Sequence, residues 1–258
     1  MKNIILEEKN GIAYVTINRP EVLNCFNYDT LVELGDVVGE LYSSHEARVI
    51  IFTGAGNKAF SAGADLKERR SLTESEVRRN VRKIRDVFQE IANLPQPTIA
   101  AVNGFAFGGG FELLLACDFR ISVEQATMGL TEVSWGIIPG AGGTQRLTRL
   151  IGEMKAKELI FTARKISAYE AYNCGILTKV VSQNSLMVTC EKLANEILQN
   201  APIAIRQAKL AIQLGAEVDI VTGLEIEAKA YEVTIPSKDR LEALAAFNEK
   251  RKPVFTGK

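Results

Sequence analysis

Two glycine-containing turns and two glutamates are the residues of this chain whose types and spacing could do chemistry. The turns are Ser61-Ala62-Gly63-Ala64-Asp65 and Gly108-Gly109-Gly110. Each follows a segment that reads as a strand, and the second opens a helix. Glycine lets a backbone approach a ligand closely. A helix start presents unpaired N–H groups at the positive end of the dipole. Two such groups aimed at one point would hold a developing oxyanion. Glu112 falls in the first turn of the helix that Gly108-Gly109-Gly110 opens. Glu132 follows 20 residues on (132 − 112), in the apolar setting Gly129-Leu130-Thr131-Glu132-Val133. Paired carboxyls beside an oxyanion hole could share one water as acid and base. Spacing alone favours a plainer assignment, with Glu112 serving the helix dipole and Glu132 lying on the surface.

Other chemistries find little support. His45 is the single histidine and sits in the polar connection Ser43-Ser44-His45-Glu46. It reads as a surface residue, which argues against a Ser-His-Asp hydrolase. Gly140-Ala141-Gly142-Gly143 lacks the full dinucleotide fingerprint and follows Pro139 rather than a clean strand. It reads as a loop supporting the Glu132 region. Cys25, Cys117, Cys174 and Cys190 include no C-x-x-C pair, so neither a zinc site nor a disulfide framework is expected, and all four read as reduced thiols.

Lys plus Arg and Asp plus Glu both total 31, so the chain lacks the positive field of a general nucleic-acid binder. With 47% hydrophobic residues in 258 it can bury a sizeable core. The first residues lead almost at once into a strand pattern, without a signal-peptide core or an Arg- and Ser-rich transit segment. No apolar run nears the roughly 18 residues that span a bilayer. A cytoplasmic protein with no membrane segment is expected.

The elements that must position the turns and glutamates show in the periodicity. Ile4-Ile5-Leu6 and Ile12–Ile17 flank Asn10-Gly11, a hairpin signal. Leu31–Tyr42 has helical spacing, and 48–53 reads as a buried strand. Thr73-Glu74-Ser75-Glu76 fits a capping box that opens a helix, which Pro95 and Pro97 stop. Thr98–Val102 and Phe119–Ser122 read as strands and Glu112–Cys117 as helix. After residue 185 only helical segments fit, over about 186–199, 203–214, 219–233 and 237–250. The pattern predicts an α/β core with a helical C-terminal region. A loose strand–strand–helix recurrence has no fixed period.

Four segments carry a resemblance. They are Asn18-Arg19-Pro20, the stretch Ala59–Asp65, the stretch Asn103–Glu112, and Gly136–Gln145. In this order, over nearly the whole chain, they resemble the enoyl-CoA hydratase/isomerase (crotonase) superfamily. The resemblance implies a spiral of ββα units with a helical C-terminal part, assembled as homotrimers or homohexamers. On that reading residues 1–190 form the spiral core with the CoA and catalytic site. Residues 191–258 form the helical region for oligomerisation and site cover. Carried over by position, the N–H groups of Ala64 and Gly109 form the oxyanion hole for a thioester carbonyl. Ala62, Gly63, Ala64, Asp65, Leu66 and Lys67 line the CoA cleft. Glu112 and Glu132 match the two catalytic glutamates of hydratases. The implied partner is an acyl-CoA thioester, with CoA as part of the substrate and no metal or other cofactor. Fatty-acid β-oxidation and branched-chain amino-acid degradation are the implied settings.

A narrower resemblance, to the 3-methylglutaconyl-CoA hydratases, rests on the stretches Ala64–Arg69, Lys83-Ile84-Arg85, Ile91–Pro95 and Thr234–Glu242. One of these hydratases also binds AU-rich RNA through a lysine-rich helix. The matching segment here, Val37–Arg48, has no lysine and one arginine, so the phosphate contacts that give most of such affinity are missing. RNA binding is not expected. Hydration of an enoyl-CoA is the expected activity, with an enoyl-CoA isomerase or an RNA-binding protein of the same fold as alternatives. Lys67, Arg69, Arg70, Arg78, Arg79, Arg82, Lys83 and Arg85 form a basic stretch. It is either a solvated helix face or a field for CoA phosphates or an acyl carboxylate, with Arg82 as the residue to test. Trp135 is read equally as a wall of the acyl pocket or as plain packing.

Overall fold

The computed structural model describes residues 3–258. β1 (Ile4–Lys9) and β2 (Ile12–Ile17) pair antiparallel, with Asn10 and Gly11 between them at φ 53° and 78°. Those are the left-handed angles of a type I′ turn, which Asn-Gly tolerates. α1 (Tyr28–Ser43) follows, its start capped by Asn27, whose side chain accepts from the Thr30 N–H.

From here a strand–strand–helix unit recurs. The first unit is β3 (Val49–Gly54), β4 (Ala59–Ser61), a single turn of helix α2 (Leu66–Arg69) and α3 (Glu74–Ala92). The second is β5 (Thr98–Val102), β6 (Phe105–Phe107) and α4 (Gly109–Ala116). The third is β7 (Phe119–Val123), β8 (Thr127–Gly129), a 3-10 turn at Glu132–Trp135 and α5 (Gly143–Ile151). α6 (Glu153–Phe161), β9 (Ile166–Ser167), α7 (Ala168–Asn173) and β10 (Lys179–Val181) come next. The units begin at residues 49, 98 and 119, spacings of 49 (98 − 49) and 21 (119 − 98). Helices of unequal length cause the difference, and no fixed period can show in the sequence.

The first strand of each unit joins one sheet and the second joins another. The larger sheet runs β1-β2-β3-β5-β7-β10 and is parallel from β2 onward. The smaller runs β4-β6-β8-β9, parallel except for β9. All of β5, Thr-Ile-Ala-Ala-Val, is buried. Parallel strands covered on both faces read as such unbroken apolar runs.

α3 opens with both halves of the capping box: Glu76 N–H donates to the Thr73 hydroxyl and Thr73 N–H to the Glu76 carboxylate. Thr73→Ala should destabilise the fold by about 1 kcal/mol, the usual worth of such a cap. The check is a lower urea midpoint at unchanged m-value.

The chain divides into two compact units. Met1–Leu94 with Thr98–Glu191 make one, and Pro95–Pro97 with Lys192–Lys258 make the other. α8 (Leu186–Leu198) runs across the division. The second unit holds α9 (Pro202–Gly215), α10 (Ile220–Thr234) and α11 (Lys238–Glu249), close to the helices read from the sequence. Its buried Asp239 accepts from the Thr256 and Gly257 N–H groups at 2.7 and 2.9 Å, fastening the C-terminal residues to the start of α11. Among the described residues no helix is long and apolar enough to cross a membrane.

Candidate active site

The two glycine turns lie against each other. Gly63, at φ +93°, lets its carbonyl accept from Phe26 N–H at 2.8 Å while its own N–H reaches the Ser61 hydroxyl. Asp65 N–H returns to the Phe26 carbonyl at 2.9 Å. Ala64 lies between these two contacts, and its N–H donates to no acceptor among the described residues. The Gly109 N–H, first in α4, is likewise unclaimed. A methyl group added at Gly63 would lie 3.1 Å from the Gly109 nitrogen, so the two free donors are near neighbours.

Arg19 and Asp65 hold the first turn. Arg19 donates to the Cys25 carbonyl at 2.6 Å and pairs with Asp65 at 3.1 Å, largely out of solvent. The other Asp65 oxygen caps α2 by accepting from Lys67 and Glu68 N–H groups. Asp65 therefore faces the protein. Of the stretch expected to line the cleft, Ala62, Ala64 and Leu66 do so. Gly63 is buried, Asp65 turns to Arg19, and Lys67 is exposed outside the lining.

Glu112 is 3% exposed and far from serving only a helix dipole. Its Oε1 accepts from Ala141 N–H at 2.7 Å and Gly143 N–H at 2.8 Å. The loop 140–143 thus supports Glu112, whereas the sequence placed it with Glu132. The reason is that Gly143 starts α5, and its free N–H groups need an acceptor. Arg146, one turn into α5, donates to the Ala141 carbonyl at 2.9 Å and to Gln89 at 2.8 Å, bracing this loop. Nothing in the sequence marked Arg146, because its role depends on α5, which no capping side chain announces.

Glu132 opens the 3-10 turn after β8 and is half-buried, not a surface residue. Its Oε2 is buried without a hydrogen-bond partner. Its Oε1 would lie 3.3 Å from a side chain added at Gly108, immediately beside Gly109. Burial, then the charge of Glu112, push Glu132 up to about 7 from its ordinary 4.5, with Arg69 pulling the other way. Burial also pushes Glu112 up, opposed by its two amides and Arg146. The charge of Glu112 is thus felt at Glu132, as expected where two carboxyls line one site.

Ala64, Gly109, Glu112 and Glu132 all line one cleft of about 630 Å3. Its remaining wall is mostly apolar and includes Leu66, Val77, Val81, Ile84, Trp135 and Ile137. Trp135 is therefore a cleft residue and is largely exposed. Arg82 is exposed on α3 and does not line the cleft, whereas Arg69 does. His45 is exposed between α1 and β3, and all four cysteines are free thiols.

A parallel ββα spiral bearing two free amides and two coupled carboxyls in one cleft defines a class. The chain belongs to the enoyl-CoA hydratase/isomerase family, whose model matches residues 7–258. Among its relatives, the short-chain-enoyl-CoA hydratase of Clostridium acetobutylicum is 46% identical over 252 residues, 98% of this chain and 97% of that one. Human mitochondrial methylglutaconyl-CoA hydratase is 49% identical over 97% of this chain and 75% of that protein. The crystal structure of an enoyl-CoA hydratase from Bacillus anthracis superposes with a TM-score of 0.97 at 49% identity, covering 99% of this chain and 100% of that one.

Proposed function

We propose that this enzyme adds water reversibly across the double bond of a 2-enoyl-CoA thioester, giving the 3-hydroxyacyl-CoA. One observation carries the reading: two carboxyls with raised proton affinity line the same cleft as two unclaimed N–H groups. The thioester oxygen takes both hydrogen bonds, from Ala64 and Gly109. Water oxygen bonds to C3 as Glu112 takes its proton, and the displaced electron pair moves onto the thioester oxygen. The carbonyl re-forms as C2 takes a proton from Glu132. Burial keeps that proton on Glu132 near neutral pH, as an acid needs. Glu112 suits the water because amides fix one of its oxygens in place. No metal or further cofactor enters this scheme. An isomerase would need a single proton shuttle, so the second carboxyl favours hydration.

Ala62–Lys67 would take the CoA side of the substrate. Methylglutaconyl-CoA is the acyl thioester we favour, because the human hydratase of that name is 49% identical. Ile212, Ile220 and Phe247 in the second compact unit are largely exposed, which supports self-association as a trimer or hexamer. The test is a panel of enoyl-CoAs, following loss of the conjugated thioester absorbance. The reading predicts loss that reverses from the 3-hydroxyacyl side. Double-bond migration without net hydration would overturn it.

A further inference from the structure

We propose that Arg146 is a positioning residue for hydration: it locks the loop that aims Glu112 at the attacking water, and so governs turnover without touching the substrate. The inference rests on the hydratase reading and adds a residue to it. Three successive peptide units of the loop are held in place. The first and third present the Ala141 and Gly143 N–H groups to one oxygen of Glu112, at 2.7 and 2.8 Å. The middle one accepts from the Arg146 guanidinium, through the Ala141 carbonyl, at 2.9 Å. The Gly142 N–H of that middle unit donates to no acceptor among the described residues, so Arg146 is what holds it. Residues 140, 142 and 143 are glycines, and such a loop does not stiffen itself.

The guanidinium is itself fixed. Its other arm donates to Gln89 at 2.8 Å, and the Gln89 amide donates in turn to Asn93, at the end of α3, at 3.0 Å. The brace therefore ties the Glu112 loop to the helix whose Val77, Val81 and Ile84 line the cleft. A methyl group added at Gly142 would collide with the guanidinium, so the glycine also makes room for it. Arg146 does not itself line the cleft. It acts on Glu112 by charge as well. The charged groups facing Glu112 are Arg146 from α5 and Glu132 from the 3-10 turn. Arg69 on α2 faces Glu132, and Cys117 at the end of α4 faces Arg146. Burial pushes Glu112 up, and its two amides and then Arg146 pull it down. Arg146 thereby favours the ionised carboxylate, the form that can take a proton from water.

The experiment measures kcat, KM and the pH profile of hydration, with crotonyl-CoA or methylglutaconyl-CoA, whichever the native enzyme turns over faster. Arg146→Met should lower kcat about 10- to 100-fold at little-changed KM, the usual cost of misplacing a reacting group. Its acid limb should move to higher pH, because a cation has gone from beside the base. Arg146→Lys keeps the charge but not the fork. Its acid limb should stay near the native position while kcat still falls. In a Glu112→Gln background, adding Arg146→Met should cost little more, since the two residues act as a unit. A merely structural arginine would cost the same factor with and without Glu112, and that result overturns the inference. Native kcat in Arg146→Met overturns it as well. Should Arg146→Met not fold, Arg146→Lys decides by the same two criteria. If the native enzyme hydrates neither thioester, the hydratase reading fails and takes this inference with it.

Discussion

Glu132→Gln should lower enoyl-CoA hydration by at least about 10²-fold, the usual worth of one positioned acid–base group. The amide keeps the shape of the carboxyl but has no acidic proton for C2. The fold should survive, because Glu132 makes no side-chain bond that the variant would lose and one of its oxygens is buried without a partner. Stability should even respond in the opposite sense at higher pH. A folded-state value raised from 4.5 to about 7 means the folded protein holds this proton more tightly than the unfolded chain. The stability so gained is full below 4.5 and is lost as pH rises through about 7. Glu132→Gln should therefore flatten the decline in melting temperature across that window. Kinetically, kcat/KM for hydration by the native enzyme should fall on an alkaline limb near 7, where the pair loses its last proton. In Glu112→Gln the remaining Glu132 should titrate lower, since a like charge has gone. Unchanged turnover in Glu132→Gln would remove Glu132 from the mechanism.

Gly63→Ala should be nearly as damaging, by a different route. Its φ of +93° disfavours any side chain, at about 1–2 kcal/mol. The methyl group would also sit 2.7 Å from the Phe107 carbonyl oxygen and 3.1 Å from the Gly109 nitrogen. Something must shift, and what lies nearest is the second turn with its free N–H. Loss of one oxyanion donor costs about 10²–10³ in kcat. Gly175→Ala makes the control: φ is +79°, and nothing lies within 4 Å of the new methyl. It should lose stability alone, at unaltered kcat. If Gly63→Ala also kept full kcat, Gly109 would have no part in holding the thioester oxygen.

Local signals were legible wherever one short segment determines its own structure. Asn10-Gly11 supplies the positive φ angles of its turn, and Thr73 with Glu76 closes its cap, without help from distant residues. The long C-terminal helices show by periodicity alone. β4, β6, β8 and β9 were not legible, because alternation cannot be counted over two or three residues. They exist because strands before and after them set up a second sheet. The pairing of Glu112 with Glu132 came from the family resemblance, since spacing alone pointed to unrelated roles. The loop 140–143 reads with Glu132 in the sequence, because Ala141 and Gly143 reach Glu112 only once α4 and α5 pack. Arg69 and Arg82 look alike within one basic stretch, and only the fold separates a cleft wall from an exposed helix face.

The strand order of the two sheets bears on how the chain acquires its shape during synthesis. In both sheets the strand numbers only increase from one edge to the other. Each strand leaving the ribosome therefore finds its neighbour already made, and no gap is held open for a later segment. The larger sheet can lengthen one strand at a time, from β1 until β10 emerges. Until then its growing rim is an unpaired strand edge, the kind of surface on which nascent chains aggregate.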